Sequence, residues 1–231
     1  MKYSFKLLFS PVKWIICFVV VVLITVAVYA PTFYDFTNIS SIYFPFVGIV
    51  LFADMGLLDK ESQVDEIVYL INRKPIRAFI ERYMLSAGFL MFYVVFGNIV
   101  FRILQWLQGQ ISYEPISVFE YIVIVMESSL FIATIAMTIS TIFGNVYVGY
   151  SCASLYWLYW NINSDNKMIL NPFSFIADPI FYCKELIIVY VIAFMLVLIN
   201  CFLSTKSPFY CMDKIRRIII KNKIEGGTII N

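Results

Sequence analysis

The sequence has no histidine. Its absence removes the commonest general base and metal ligand, which excludes zinc-dependent intramembrane proteolysis, histidine relays and any Ser-His-Asp set. A nucleotide-binding loop is missing too, because the one Gly-Gly-Thr, at 226–228, lacks the lysine and the spacing that cradle a phosphate. The five cysteines form no C-x-x-C pair, and Cys17, Cys152 and Cys201 fall within long apolar runs, so neither a disulfide framework nor a zinc site is expected. Charged residues are only 14% of the chain. Those carboxylates that lie inside apolar runs are too scattered to form an aspartyl dyad. There is no internal repeat, low-complexity segment or soluble domain.

What fills the 231 residues is apolar: 61% are hydrophobic and the mean hydropathy is +0.85, far beyond a soluble domain of this size. A hydrocarbon core of about 30 Å takes roughly 20 helical residues to cross. Six runs near that length predict one all-α, polytopic membrane domain over 1–231, with spans at 14–30, 42–58, 84–107, 118–143, 146–160 and 185–203. The first run follows three lysines, as a signal peptide does. It is long for one, and Pro31 directly after Ala30 is a poor residue beyond a cleavage site, so a retained span is expected. The segment 31–41 reads as a short loop. Between the fifth and sixth runs, Pro172 and Pro179 frame an apolar patch too short to cross, which predicts a re-entrant or interfacial pair of short helices.

All of the 17 Lys and Arg residues except Arg102, Lys167 and Lys184 fall on one side of this six-span arrangement. By the positive-inside rule that side, which holds both termini and the stretch 59–83, faces the cytoplasm. That stretch is the one long polar segment between apolar runs. Val64, Ile67, Val68 and Ile71 recur at helical spacing, opposite Gln63, Asp65 and Glu66, which predicts a short amphipathic helix. Pro75 interrupts it, and a second helix can begin at the basic cluster Arg73, Lys74, Arg77 and Arg82. The basic tail at 214–223 alternates charge with isoleucines and suits an anionic lipid surface.

Inside the membrane Glu127 stands out. A carboxylate at mid-span costs about 2.5–3.5 kcal/mol on insertion scales, so it faces the bundle or a wet cavity. Two readings stay open: a contact for substrate or proton in a translocation path, or a structural hydrogen bond or ion pair between spans. Arg102 is a candidate for that pairing, with Glu120 nearer to it in depth and the better partner. Asp54 reads as an interfacial cap or an ion-pair partner of the basic cluster. The aromatic run from Tyr147 to Trp160 fits either a cavity lining or an interfacial belt.

Six spans, a cytoplasmic hairpin between the second and third, and a Pro-containing stretch before the last resemble the permease subunits of type-2 ATP-binding-cassette exporters of bacteria. The hairpin carries the likeness most closely: Glu66, the apolar helix at 67–71, then Pro75-Ile76-Arg77, with NPFSFIADP at 171–179 similar to the family's segment before the last span. Glu81 departs from the basic residue common there. The resemblance implies a permease that dimerises with itself or a paralogue, lies in the cell membrane against lipid, and docks two ATPase subunits. ATP and Mg would be bound by those partners, with no cofactor or catalysis on this chain and no nucleic acid among its partners. The segment 62–71 would be the coupling helix, with Asp65, Glu66, Tyr69, Arg73 and Arg77 at the ATPase interface. The implied cargo is a peptide or other amphipathic molecule, exported or resisted. The alternative is a non-transporting immunity or sensory subunit that binds a peptide or protein.

Overall fold

A computed structural model of the chain describes residues 10–28, 30–57, 75–109 and 116–205. The described residues are all-α: α1 (Pro11–Ala27), α2 (Phe33–Phe52), α3 (Pro75–Leu107), α4 (Val118–Phe143), α5 (Val146–Ile162), α6 (Ser174–Ala177) and α7 (Tyr182–Leu203). Each boundary has a local cause. Ser10 caps α1, with Pro11 in the first turn, where its missing N–H does no harm. Ser117 and Glu120 form a reciprocal capping box at the start of α4, the Ser117 N–H donating to Glu120 Oε2 at 2.8 Å and the Glu120 N–H to Ser117 Oγ at 3.2 Å. Gly144, at φ +63°, ends α4 in the left-handed conformation, and the Asn145 side chain then caps α5.

The helix α4 is the hub of the bundle, packed against α2, α3, α5 and α7. Small residues let its neighbours come close. Gly48 of α2 lies against Ser129 and Ala133, and Gly149 of α5 against Ala136 and Ser140. Two small-residue pairs at i,i+4 spacing on α4 thus receive a glycine from either side, as helices packing within a membrane favour. One end of the bundle is an aromatic cluster. Phe36 stacks on Phe101 at 4.1 Å, and Phe33 and Tyr121 close around them. At the other end Lys13 bridges Asp54, Phe52 meets Tyr83 at 5.3 Å, Gly56 abuts Thr141, and Asn200 donates to Thr138 Oγ1 at 2.6 Å. The outward stripe of α7, with Ile187, Val191, Phe194, Leu198 and Phe202, is exposed and apolar, as a lipid-facing surface is.

The expectation of six transmembrane helices does not hold. Among the described residues four helices are long and apolar enough to cross a membrane: Phe33–Phe52, Ile76–Leu107, Val118–Phe143 and Tyr182–Leu203. The helices α1 and α5 have 17 residues each, a rise of about 26 Å at about 1.5 Å per residue against a core of about 30 Å. In the segment expected as a loop, 31–41, residues 33–41 are helix. Thr32 caps it by accepting from the Asp35 N–H at 3.1 Å. Thr37 and Ser41 return their hydroxyls to the carbonyls of Phe33 and Asn38 at 2.8 Å, so these polar residues stay inside a helix without an unmet donor. Pro45 restarts the same helix at a first-turn position rather than ending it. The third span begins at Pro75, about two turns before the expected residue 84, because the amphipathic segment after the proline fuses with the apolar run. In the connection 161–184 one four-residue helix, α6, stands where a pair is expected. The expected coupling helix at 62–71 lies outside the described residues.

Candidate functional site

The candidate site is built where α6 meets α4. Asn171 organises the approach: its side-chain N–H groups donate to the carbonyls of Ser164 and Asn166 at 2.8 and 2.9 Å, and its Oδ1 accepts from the Phe173 N–H at 2.9 Å. Tyr156 of α5 ties the same segment by donating to the Leu170 carbonyl at 2.6 Å. With the chain so folded, Pro172, Phe173, Ser174 and Phe175 turn inward and are buried. Phe175 packs edge-on to Tyr182 at 5.2 Å and tilted against Tyr34 at 5.3 Å. The short helix is thereby wedged between α2 and α7, directly over Glu127.

Glu127 is only 1% exposed. Its Oε2 accepts a hydrogen bond from Ser174 Oγ at 3.2 Å, while its Oε1 is buried and has no hydrogen-bond partner. Glu185 stands in the first turn of α7, and its Oε2 is likewise buried without a hydrogen-bond partner. The helices α4 and α7 run parallel here, since Phe131 packs with Val189 and Ala193 and Thr138 with Asn200. That register places Glu185 about one turn nearer than Glu127 to the end bearing Ser174. Tyr190 completes the wall and donates from its hydroxyl to the Val123 carbonyl at 2.9 Å.

The outer rim is charged and locked. Lys167 donates to Asp178 Oδ2 at 2.6 Å, and Asp178 Oδ1 accepts from the N–H groups of Ile180 and Phe181 at 3.4 and 3.3 Å. The Lys167 hydrogen bond, with help from those backbone N–H groups, holds the Asp178 carboxyl below the ordinary carboxylate range.

The structure does not gather the residues singled out in the sequence into one place. Glu127 sits in the core, whereas Glu120 is exposed and its carboxylate caps the helix it belongs to. The Arg102 guanidinium lies 4.5 Å over the Phe33 ring, a cation–π geometry. Arg77, in the first turn of α3 at the Lys13–Asp54 end, is largely exposed and pairs with Glu81 at 3.3 Å. Asp65, Glu66, Tyr69 and Arg73 lie outside the described residues. Ser174, Glu185 and Asn171 are the site residues that sequence reasoning missed. Glu185 had a signal, a carboxylate within the first turn of a strongly apolar helix. For Ser174 there was only its place between two prolines.

Among the described residues no group of three His, Cys, Asp or Glu side chains is placed to hold a metal ion. What the arrangement offers is a buried acceptor oxygen, Glu127 Oε1, beneath the short helix α6. Comparisons of the chain with protein-family models, with curated proteins and with solved structures give no match.

Proposed function

We propose that this helical, multi-pass membrane protein is the membrane subunit of an ATP-driven exporter of the type-2 ATP-binding-cassette kind, moving a peptide or other amphipathic molecule. The observation that carries this is Glu127: a carboxylate in the core of the hub helix, half satisfied by Ser174 and half unmet. A purely structural carboxylate is expected to have both oxygens matched, because a buried acceptor without a donor costs about 1–3 kcal/mol. Asp54 Oδ1 is unmet too, but its carboxylate is held by the charged Lys13, whereas the Ser174 donor to Glu127 is neutral.

The end of the bundle where Lys13 meets Asp54 faces the cytoplasm, as do both termini. Counted over the sequence, 14 of the 17 Lys and Arg residues, Lys13, Arg77 and Arg82 among them, belong to segments on that side, which is how the positive-inside rule orients a bundle. An ATPase pair docks there on the segment containing Asp65, Glu66, Tyr69, Arg73 and Arg77, binds ATP and Mg itself, and drives a dimer of permease chains. The Glu127 site, under α6, lies toward the opposite face.

The test is a mild-detergent pull-down of the tagged chain with mass spectrometry of what accompanies it. A soluble ATPase recovered with the wild type and lost with Glu66→Arg supports the exporter. A chain that stays folded and brings no ATPase refutes it, and leaves a non-transporting immunity or sensory subunit as the reading. Orientation has its own check. Cys183 is exposed at the Ser174 end and Cys17 is buried, so a membrane-impermeant maleimide applied to intact cells should modify Cys183 and spare Cys17.

A further inference from the structure

We infer that the groove between α1 and α3 holds one acyl chain of an anionic phospholipid whose headgroup reaches the start of α3. The inference goes beyond the exporter reading and does not depend on it.

The groove exists because α1 meets the bundle along a narrow stripe. Cys17, Val21 and Ile24 are buried, while Ile15, Phe18 and Val19 remain exposed. A hollow of about 380 Å³ lies beside that stripe, lined by Trp14, Ile15 and Phe18 of α1 and by Phe92, Tyr93 and Phe96 of α3. Trp14 stands edge-on to Phe89 at 4.7 Å and Phe18 tilts against Phe96 at 5.5 Å, so the two helices run parallel here. No lining side chain is charged. Their polar atoms are the Trp14 indole N–H and the Tyr93 hydroxyl, and that hydroxyl donates to the Trp14 carbonyl at 3.4 Å. The part of an occupant that lies in the groove is therefore hydrocarbon. About one turn of each helix lines the hollow, whereas a helix is about 10–12 Å across with its side chains, so a flexible unbranched chain fits better than another span.

Depth and charge say which hydrocarbon. Along α3, Phe92 is ten residues from Arg82 and ten from Arg102. That is about 15 Å to either side, half of a hydrocarbon core of about 30 Å. The groove thus lies near the middle of the membrane, where acyl chains end. Arg77 lies fifteen residues before Phe92. The rise is about 22 Å, which matches half of a bilayer of about 40–45 Å with its headgroups. The Arg77 side chain is 84% exposed, and its ion pair with Glu81 at 3.3 Å is a surface one. Between groove and guanidinium, Met84 and Gly88 are exposed, and a Cβ on Gly88 would meet nothing within 4 Å. In the sequence Arg73 and Lys74 come directly before Pro75. A lipid with its tail at Phe92 and its phosphate at Arg77 covers that distance, and cations at a membrane surface favour anionic lipid. Packing alone selects little, since a chain that leaves bulk lipid for the groove exchanges one apolar surrounding for another. The headgroup supplies the selection.

The test is native mass spectrometry of the detergent-purified, delipidated full-length chain with added dioleoylphosphatidylglycerol. One lipid should stay bound at collision energies that strip any others. Dioleoylphosphatidylcholine, with the same chains and no net charge, should bind roughly fivefold less, the worth of one Lys or Arg at an anionic surface. Ile15→Trp, which fills the groove, should lower occupancy by the charged lipid roughly fivefold or more. Phe18→Ala, which removes a wall, should lower it too. Val191→Trp, which adds bulk on the exposed stripe of α7, should not. Far-ultraviolet circular dichroism checks that each variant is folded, and if Ile15→Trp is not, Phe18→Ala decides. No lipid on the folded wild-type chain, or occupancy unchanged in the folded groove variants, overturns the inference. Equal retention of the two lipids overturns it in favour of any hydrocarbon chain. A lipid-free dimer that Ile15→Trp splits overturns it in favour of a second copy of the chain at the groove.

Discussion

Replacing Gly149 by alanine should loosen the bundle at its hub. A Cβ built on Gly149 lies 1.8 Å from Ser140 Oγ, 2.6 Å from the Ala136 carbonyl oxygen and 3.0 Å from Ser140 Cβ. The hydroxyl can rotate away. The carbonyl belongs to the backbone of α4 and cannot, so α5 must retreat by roughly 0.7 Å to restore an ordinary carbon–oxygen contact of about 3.3 Å. Overpacking of this kind costs about 1–3 kcal/mol, offset in part by the roughly 0.8–1 kcal/mol that alanine gains over glycine in a helix. Gly88 of α3 is the matched control, because it is exposed and a Cβ there meets nothing within 4 Å. Gly88→Ala keeps only the helix gain, which both variants share, so the two should differ by the overpacking cost of about 1–3 kcal/mol. Unfolding in mixed detergent micelles with rising dodecyl sulfate, followed by far-ultraviolet circular dichroism, reads the difference. Ser140→Ala removes the hydroxyl and leaves the carbonyl, so it should rescue Gly149→Ala only in part. Equal stability of Gly149→Ala and Gly88→Ala would refute close packing of α5 on α4.

Ser117→Ala removes half of the capping box and should lower stability by about 1 kcal/mol in the same unfolding assay, with Ser117→Asp near wild type because it can still cap. The Lys13 and Asp54 side chains are 16% and 15% exposed, between a surface pair and a buried one. Asp54→Asn should cost about 1–3 kcal/mol, and the double variant Lys13→Met/Asp54→Leu less than Asp54→Asn alone, since no unpaired charge remains. The Asp178 carboxyl is held below its ordinary range by Lys167, so its contribution is present above the unfolded-state value and is lost as the pH falls through the lower folded-state value. Hydrogen exchange of the 163–181 segment should therefore accelerate only in strongly acidic buffer, and Lys167→Met should weaken that dependence, leaving the part due to the Ile180 and Phe181 N–H groups.

The hub helix was legible in the sequence because its limits are written locally: Ser117-x-x-Glu120 at one end and Gly144-Asn145 at the other give Val118–Phe143 directly. The entry to α2 was legible in principle, since Thr32-Phe33-Tyr34-Asp35 has the spacing of a cap. It was masked by Thr37, Asn38, Ser40 and Ser41, which read as loop. Their helical state depends on side chains bonding back to the helix and on burial against α4, and the second of these is not a local property. Span number failed for a different reason. An apolar run of 17 residues looks like a span to a hydropathy count, and the shortfall against the membrane core appears only when rise is converted to length. The site was half legible. Glu127 announces itself by charge, but its neighbours Ser174 and Glu185 lie 47 and 58 residues further along the chain and reach it only through the turn that Asn171 builds.

The polar residues of α4 also show why Glu127, and not the row as a whole, is the functional candidate. Ser128, Thr134, Thr138 and Thr141 return their hydroxyls to the carbonyls of Val125, Phe131, Thr134 and Met137, so each is satisfied within its own helix. Ser129 and Ser140 hydroxyls lack partners, but they are neutral and sit where Gly48 and Gly149 press close, which makes their small size the reason for their place. Glu127 is large, ionisable and unmatched at one oxygen, and packing explains none of these. On the exporter reading, Glu127→Gln separates a structural from a binding role: glutamine keeps the volume and an acceptor for Ser174, so a structural Glu127 predicts a variant that folds and performs the proposed transport as the wild type does. A binding Glu127 predicts, on the same reading, a variant that folds as well as the wild type, still recovers the proposed ATPase and no longer moves the proposed cargo.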